Sequence, residues 1–175
     1  GTASLPGYRS VSIMAAKIGA AAMPDPDWLA RASHAIKQMY GYWRSKCEGD
    51  RLPPRRAIDP VEIPRFLPHI TIVEVVPDER RYVYRLVGTK EVEIRGRDPT
   101  GKSVLEGFFG PSLDDALSCY DTVVRTRRPH YDDTPYITPD GRFSDDETLF
   151  LPLSEDGEHI SRILVFGTFS PGPKP

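Results

Sequence analysis

The chain has 175 residues, enough for one domain with an extension. Apolar residues make up 39% and charged residues 27%, which supports a core and excludes a membrane-embedded chain. A net charge of −2 supplies no bulk attraction to nucleic acid or anionic lipid, and two cysteines, Cys47 and Cys119, read as free thiols of a reducing, cytoplasmic compartment.

The stretch VSIMAAKIGAAAM (11–23) is too short to span a bilayer and carries Lys17, so it is expected to be a flexible lead or a short Ala-rich helix. No other segment is a membrane candidate. Asp25-Pro26 opens a helix, and Leu29, Ala32, Ile36, Met39 and Trp43 recur at helical spacing. The pattern predicts an amphipathic helix over 26–47, stopped at Gly49. Its apolar stripe is expected to mediate a homodimer, the alternative being that it folds back on the chain's own sheet.

RLPPRRAIDPVEIPRFLP (51–68) is too rich in proline for a long helix, although Asp59-Pro60 can cap a short one. HITIVEVV (69–76) reads as a buried strand. In RYVYRLVG (81–88), alternation puts Tyr82, Tyr84 and Leu86 on one face, and the PDER turn joins the two strands as a hairpin. TKEVEIRG (89–96) suggests a short helix ending at Gly96. Ser112 caps the clearest helix, 113–126, whose Leu113, Ala116, Leu117, Tyr120, Val123 and Val124 share a face before Pro129. Strands follow at 130–137, 142–154 and 159–169, separated by TPDG and EDGE.

GRDPTGKS (96–103) spells the nucleotide-cradling pattern G-x-x-x-x-G-K-S. Such a loop must run from a buried strand directly into a helix, so that backbone N–H groups and the helix dipole meet the phosphates. Here a short helix intervenes before Gly96, Pro99 removes a donor and Asp98 adds a negative charge. Asp98-Pro99-Thr100-Gly101 reads as a turn instead, and no nucleotide is expected.

The same residues resemble a PAS domain of the stand-alone alphaproteobacterial subfamily. The motif runs Tyr84, Arg85, Gly88, Thr89, then Gly96, Asp98, Thr100 and Gly101. A lead-in carries Leu52-Pro53, Ile58-Asp59-Pro60, Ile63-Pro64 and Leu67-Pro68. The likeness extends from about Trp43 to Phe169. It implies a sensory or interaction module that holds a small ligand or dimerises, with its output passing through a partner protein. Haem-binding PAS domains place a His on the long helix, where 113–126 has none, and flavin photosensors use a Cys in a motif absent here. The cofactor stays unknown.

The expected architecture is therefore α+β: a PAS-like five-stranded antiparallel sheet with helices on one face, plus an N-terminal helical extension. Residues 1–49 form the lead and helix, 50–170 the PAS-like domain and 171–175 a tail. A ligand is expected between the second strand and the long helix, lined by Tyr84, Leu86, Tyr120 and Val124. No catalytic or metal-binding set is expected, since His34, His69, His130 and His159 are scattered. Asp132-Asp133 and Asp145-Asp146-Glu147 could form a cation site but read better as solvated strand ends, and Cys119 reads as an inert thiol. The alternative is a small isomerase or hydratase on a similar curved sheet. That needs an acid–base pair in the pocket, for which His69 and Glu74 are the candidates, although strand alternation puts them on opposite faces.

Overall fold

The computed structural model describes residues 24–172. The lead at 11–23 and the last three residues of the tail lie outside them. Ser33, not Asp25, caps the first α-helix, α1 (His34–Lys46), its hydroxyl accepting from Ile36 N–H. The turn ahead of it, Asp27–Arg31, is a 3₁₀ helix, so the predicted helix 26–47 begins eight residues later as an α-helix. The proline-rich segment forms three 3₁₀ turns, and Asp59 caps the one at Pro60–Glu62.

Strands β1 (Ile70–Val75) and β2 (Tyr82–Val87) form the expected hairpin. Short helices α2 (Thr89–Arg95) and α3 (Val104–Gly107) precede the long α4 (Leu113–Thr126), capped by Ser112 as predicted. The strand expected at 130–137 splits into β3 (His130–Asp132) and β4 (Tyr136–Ile137). Pro135 lies in the gap, where its missing N–H would interrupt a ladder. Both pair with β5 (Phe143–Leu153), which pairs along its length with β6 (Arg162–Pro171). The sheet is antiparallel throughout, ordered β2-β1-β6-β5-β3, with β4 on the same edge of β5 as β3.

The two sides of this sheet have different covers. Phe150 meets Tyr120 of α4 edge-on, with ring centroids 5.5 Å apart. On the opposite face, Glu147 accepts from Ser33 N–H at 2.9 Å and Tyr131 O–H at 2.6 Å, beside α1. Ile36, Met39 and Trp43 are buried there, and the Trp43 indole N–H donates to Pro152 C=O at 2.9 Å. The stripe predicted for self-association is thus covered by the chain's own sheet. This explains why Leu149, Leu151 and Leu153 are fully buried alongside Phe150: both faces of β5 are covered.

GRDPTGKS has a structural task. Val83 bridges Ser103, Tyr84 N–H donates to Lys102 C=O at 2.9 Å, and Gly101 N–H donates to Tyr84 C=O at 2.7 Å. The segment satisfies the free edge of β2, which would otherwise offer unpaired backbone groups. Asp98 folds the turn by accepting from Thr100 N–H and O–H, and Ser103 caps only the four-residue α3. Gly88, in the Gly-Thr pair, lies so close to the carbonyls of Leu67 and Pro68 that a Cβ would collide with them.

Candidate functional site

Between α4 and the sheet lies a cavity of about 420 Å³. Thr71, Thr148, Phe150, Val165, Gly167 and Phe169 form its floor. Ala116, Cys119 and Tyr120 of α4 form one wall, and Glu91, Ile94 and Arg95 of α2 another. The Phe108–Pro111 loop and the β3–β4 segment, with His130, Asp132 and Tyr136, close the rest.

Two carboxyl groups dominate its chemistry. Glu91 is 8% exposed, on the inward face of α2. Its Oε1 lies over Gly167, where any Cβ would come within 3.2 Å of it, so the glycine leaves the room the carboxyl occupies. Nothing among the described residues hydrogen-bonds to that carboxyl. Burial pushes its pKa up to about 8, with Asp145 adding to the rise and Arg95 opposing it. Asp145 has a buried Oδ1 without a hydrogen-bond partner among the described residues. Burial first, then Asp132 and Asp146, raises its pKa to about 7. Reading 145–147 as a solvated strand end therefore fails for Asp145. A bulge at Asp146 is the cause: Asp145 pairs with Phe169 and Glu147 with Thr168, so the two acids point to opposite faces.

The basic groups are already engaged or neutral. Arg95 donates to Gly107 C=O at 3.2 Å and Tyr84 O–H at 3.4 Å, with its guanidinium 4.9 Å from the Tyr84 ring centre. His130 packs on Phe150, and burial lowers its pKa. Burial raises the Cys119 thiol to about 11, which removes it as a nucleophile at neutral pH. Among the described residues, no three His, Cys, Asp or Glu side chains are grouped to hold a metal ion.

Of the four residues expected to line a ligand site, Tyr120 stands on the cavity wall. Tyr84 is fully buried beneath Arg95, behind that wall. Val124 is half-buried one position beyond Val123, which takes the core-facing place on α4. Leu86 does not share a face with Tyr84, because a second bulge intervenes. Tyr84 pairs with Val73 and Leu86 with the adjacent Ile72, leaving Arg85 as the extra residue. His69 and Glu74 do not meet: His69 stacks near Phe169, while Glu74 accepts from Arg85 at 2.5 Å. Sequence reasoning missed Glu91 and set Asp145 aside as part of a solvated strand end. The polar Glu91 within an otherwise plausible helix gave a faint signal, but nothing indicated which way it faces.

No curated protein matches the chain. Among solved structures it is similar to a sensory box sensor histidine kinase from Vibrio cholerae, at 19% identity over 65% of this chain and 92% of that one, with a TM-score of 0.45. It is also similar to a light-oxygen-voltage domain studied with a flavin analogue, at 10% identity over 63% of this chain and 82% of that one, with a TM-score of 0.46. The PAS domain profile matches residues 31–168, which takes in β1 to β5, most of β6, every cavity-lining residue except Phe169 and the α1 helix first read as an extension, and the chain belongs to the PAS domain family.

Proposed function

We propose that this chain is a sensory PAS module whose small-molecule ligand occupies the cavity between α4 and the sheet. Occupancy is passed to a partner protein by surface contact. The observation carrying this reading is the cavity itself: about 420 Å³, within the range of small-molecule sites, with aromatic walls and a buried carboxyl that has no hydrogen-bond partner among the described residues. Tyr120 is the ligand contact retained from the sequence-based expectation, with Glu91 and Asp145 added. The reading includes no dimer through the α1 stripe, which the sheet occupies. The half-buried free thiols of Cys47 and Cys119 fit a reducing, cytoplasmic setting.

Native mass spectrometry of protein purified without refolding tests this, together with the variant Ala116→Phe, which projects a ring into the cavity from α4. The expected outcome is a bound small molecule in wild type that is absent from the variant, with thermal stability retained. An adduct that persists in Ala116→Phe refutes the site. So does the absence of both an adduct and any stabilisation across a metabolite library.

Acid–base catalysis is the second reading, and one observation favours it. Glu91, Asp145 and His130 share the cavity, and both carboxyls are raised into the range a general acid needs. Among the described residues no hydrogen bond joins His130 to either carboxyl, which places the sensory reading first. Turnover of a bound molecule that disappears in Glu91→Gln would reverse that order.

A further inference from the structure

We propose that the cavity selects a cationic nitrogen ligand, an amidine, guanidine or protonated amine on a planar apolar body, seated against Glu91 and Asp145. This rests on the cavity being a ligand site and adds the class of ligand. Four of its lining residues are acidic: Glu91, Asp115, Asp132 and Asp145. Among the described lining residues the one guanidinium is Arg95, whose Nη1 already donates to Gly107 C=O and the Tyr84 hydroxyl and whose plane lies against the Tyr84 ring. An anion would therefore meet four acidic side chains against one guanidinium already engaged within the protein. Glu91 is 8% exposed and lacks a hydrogen-bond partner among the described residues, and Asp145 Oδ1 is buried without one. Buried acceptors of this kind are costly unless a donor arrives. Phe150, Tyr120 and Phe169 supply aromatic surface beside them, which favours a flat body and adds attraction for a cation over a ring face. With no three-ligand metal set among the described residues, the cation is a molecule rather than a metal ion.

The proposal has a proton signature. A carboxyl protonated in the empty cavity must release its proton to pair with a cation, so binding tightens as pH rises. The other titratable groups on the walls are Arg95, Asp115, Cys119, Tyr120, His130, Asp132 and Tyr136. Of these, His130 is held neutral and Cys119 protonated by burial.

The experiment titrates the full chain by calorimetry with three probes of one shape: benzamidine, benzamide and benzoate. At pH 8, benzamidine should bind about tenfold or more tightly than benzamide, and benzoate should not bind. At pH 6 benzamidine should weaken and release more protons to buffer. Glu91→Gln and Asp145→Asn keep shape and remove only charge, and urea midpoints verify that they fold. Each should weaken benzamidine by about fivefold or more while leaving benzamide unchanged. Benzamide binding as well as benzamidine, or benzoate binding at all, overturns the cationic assignment and leaves the cavity reading standing. Benzamidine binding undiminished in both variants also overturns it. If none of the three probes binds and no small molecule co-purifies, both readings fall.

Discussion

Replacing Glu91 with Gln isolates the energetic cost of the carboxyl that lies over Gly167. In the folded chain its pKa is raised from the ordinary 4.5 to about 8, chiefly by burial. A group that binds its proton more tightly when folded contributes fully below its unfolded pKa, and that contribution is lost as pH rises toward the folded one. One bound proton corresponds to ~1.4 kcal/mol per pH unit across this window. Between pH 5 and pH 7, wild type should therefore lose roughly 2–3 kcal/mol from Glu91 alone. Gln occupies nearly the same space and does not titrate. Asp145, raised in the same direction, remains in both proteins and largely cancels in their difference. Urea unfolding followed by the fluorescence of Trp28 and Trp43 at pH 5, 6, 7 and 8 reads this directly. At a slope of ~2 kcal/mol per M, the difference between the two midpoints should change by roughly 1 M from pH 5 to pH 7 in favour of Gln. Midpoints that run parallel across this range would show Glu91 to be solvated, and the argument for a partner-seeking buried carboxyl would fail.

Two further predictions concern elements whose roles the structure reassigns. Trp43→Ala removes a buried indole and leaves Pro152 C=O without its donor, and should cost ~3–5 kcal/mol in thermal or urea unfolding; a cost below 1 kcal/mol would mean that α1 is not part of the domain. Lys102→Ala should leave calorimetric titrations with Mg-ATP and Mg-GTP as flat as in wild type, because the loop's backbone pairs with the edge of β2; sub-millimolar binding abolished by the substitution would restore the P-loop reading.

The hairpin, the short helix α2, the Ser112-capped α4 and the strand-rich last third were legible because each rests on local chemistry: caps, turns and periodicity. The extent of the domain was less so. Ile36, Met39 and Trp43 form the same stripe whether they face a partner or their own sheet, and β5, buried on both sides, does not alternate along Leu149–Leu153. Only the tertiary arrangement shows that α1 covers the second face.

The site was hidden for a different reason. Locating side chains by alternation requires an unbroken count, and both strands that mattered carry an extra residue. One insertion at Arg85 separates Tyr84 from Leu86; another at Asp146 turns Asp145 inward while Glu147 faces α1. A bulge costs little locally, because the unpaired residue faces water, and it leaves no firm sequence signature. Its effect is nonetheless to place a carboxylate where strict alternation would put it on the opposite face. Glu91 meets the same obstacle from the helical side, since α2 has only seven residues and too few turns to define a buried face. The composition of DDE and TKEVEIR is that of solvated segments, yet each contributes one acid to a cavity whose described lining holds four acids and a single guanidinium. Buried carboxyls left without a hydrogen-bond partner among the described residues are a cost that packing alone does not explain. Their presence on both sides of one cavity is the physical reason to look for the missing partner in a ligand.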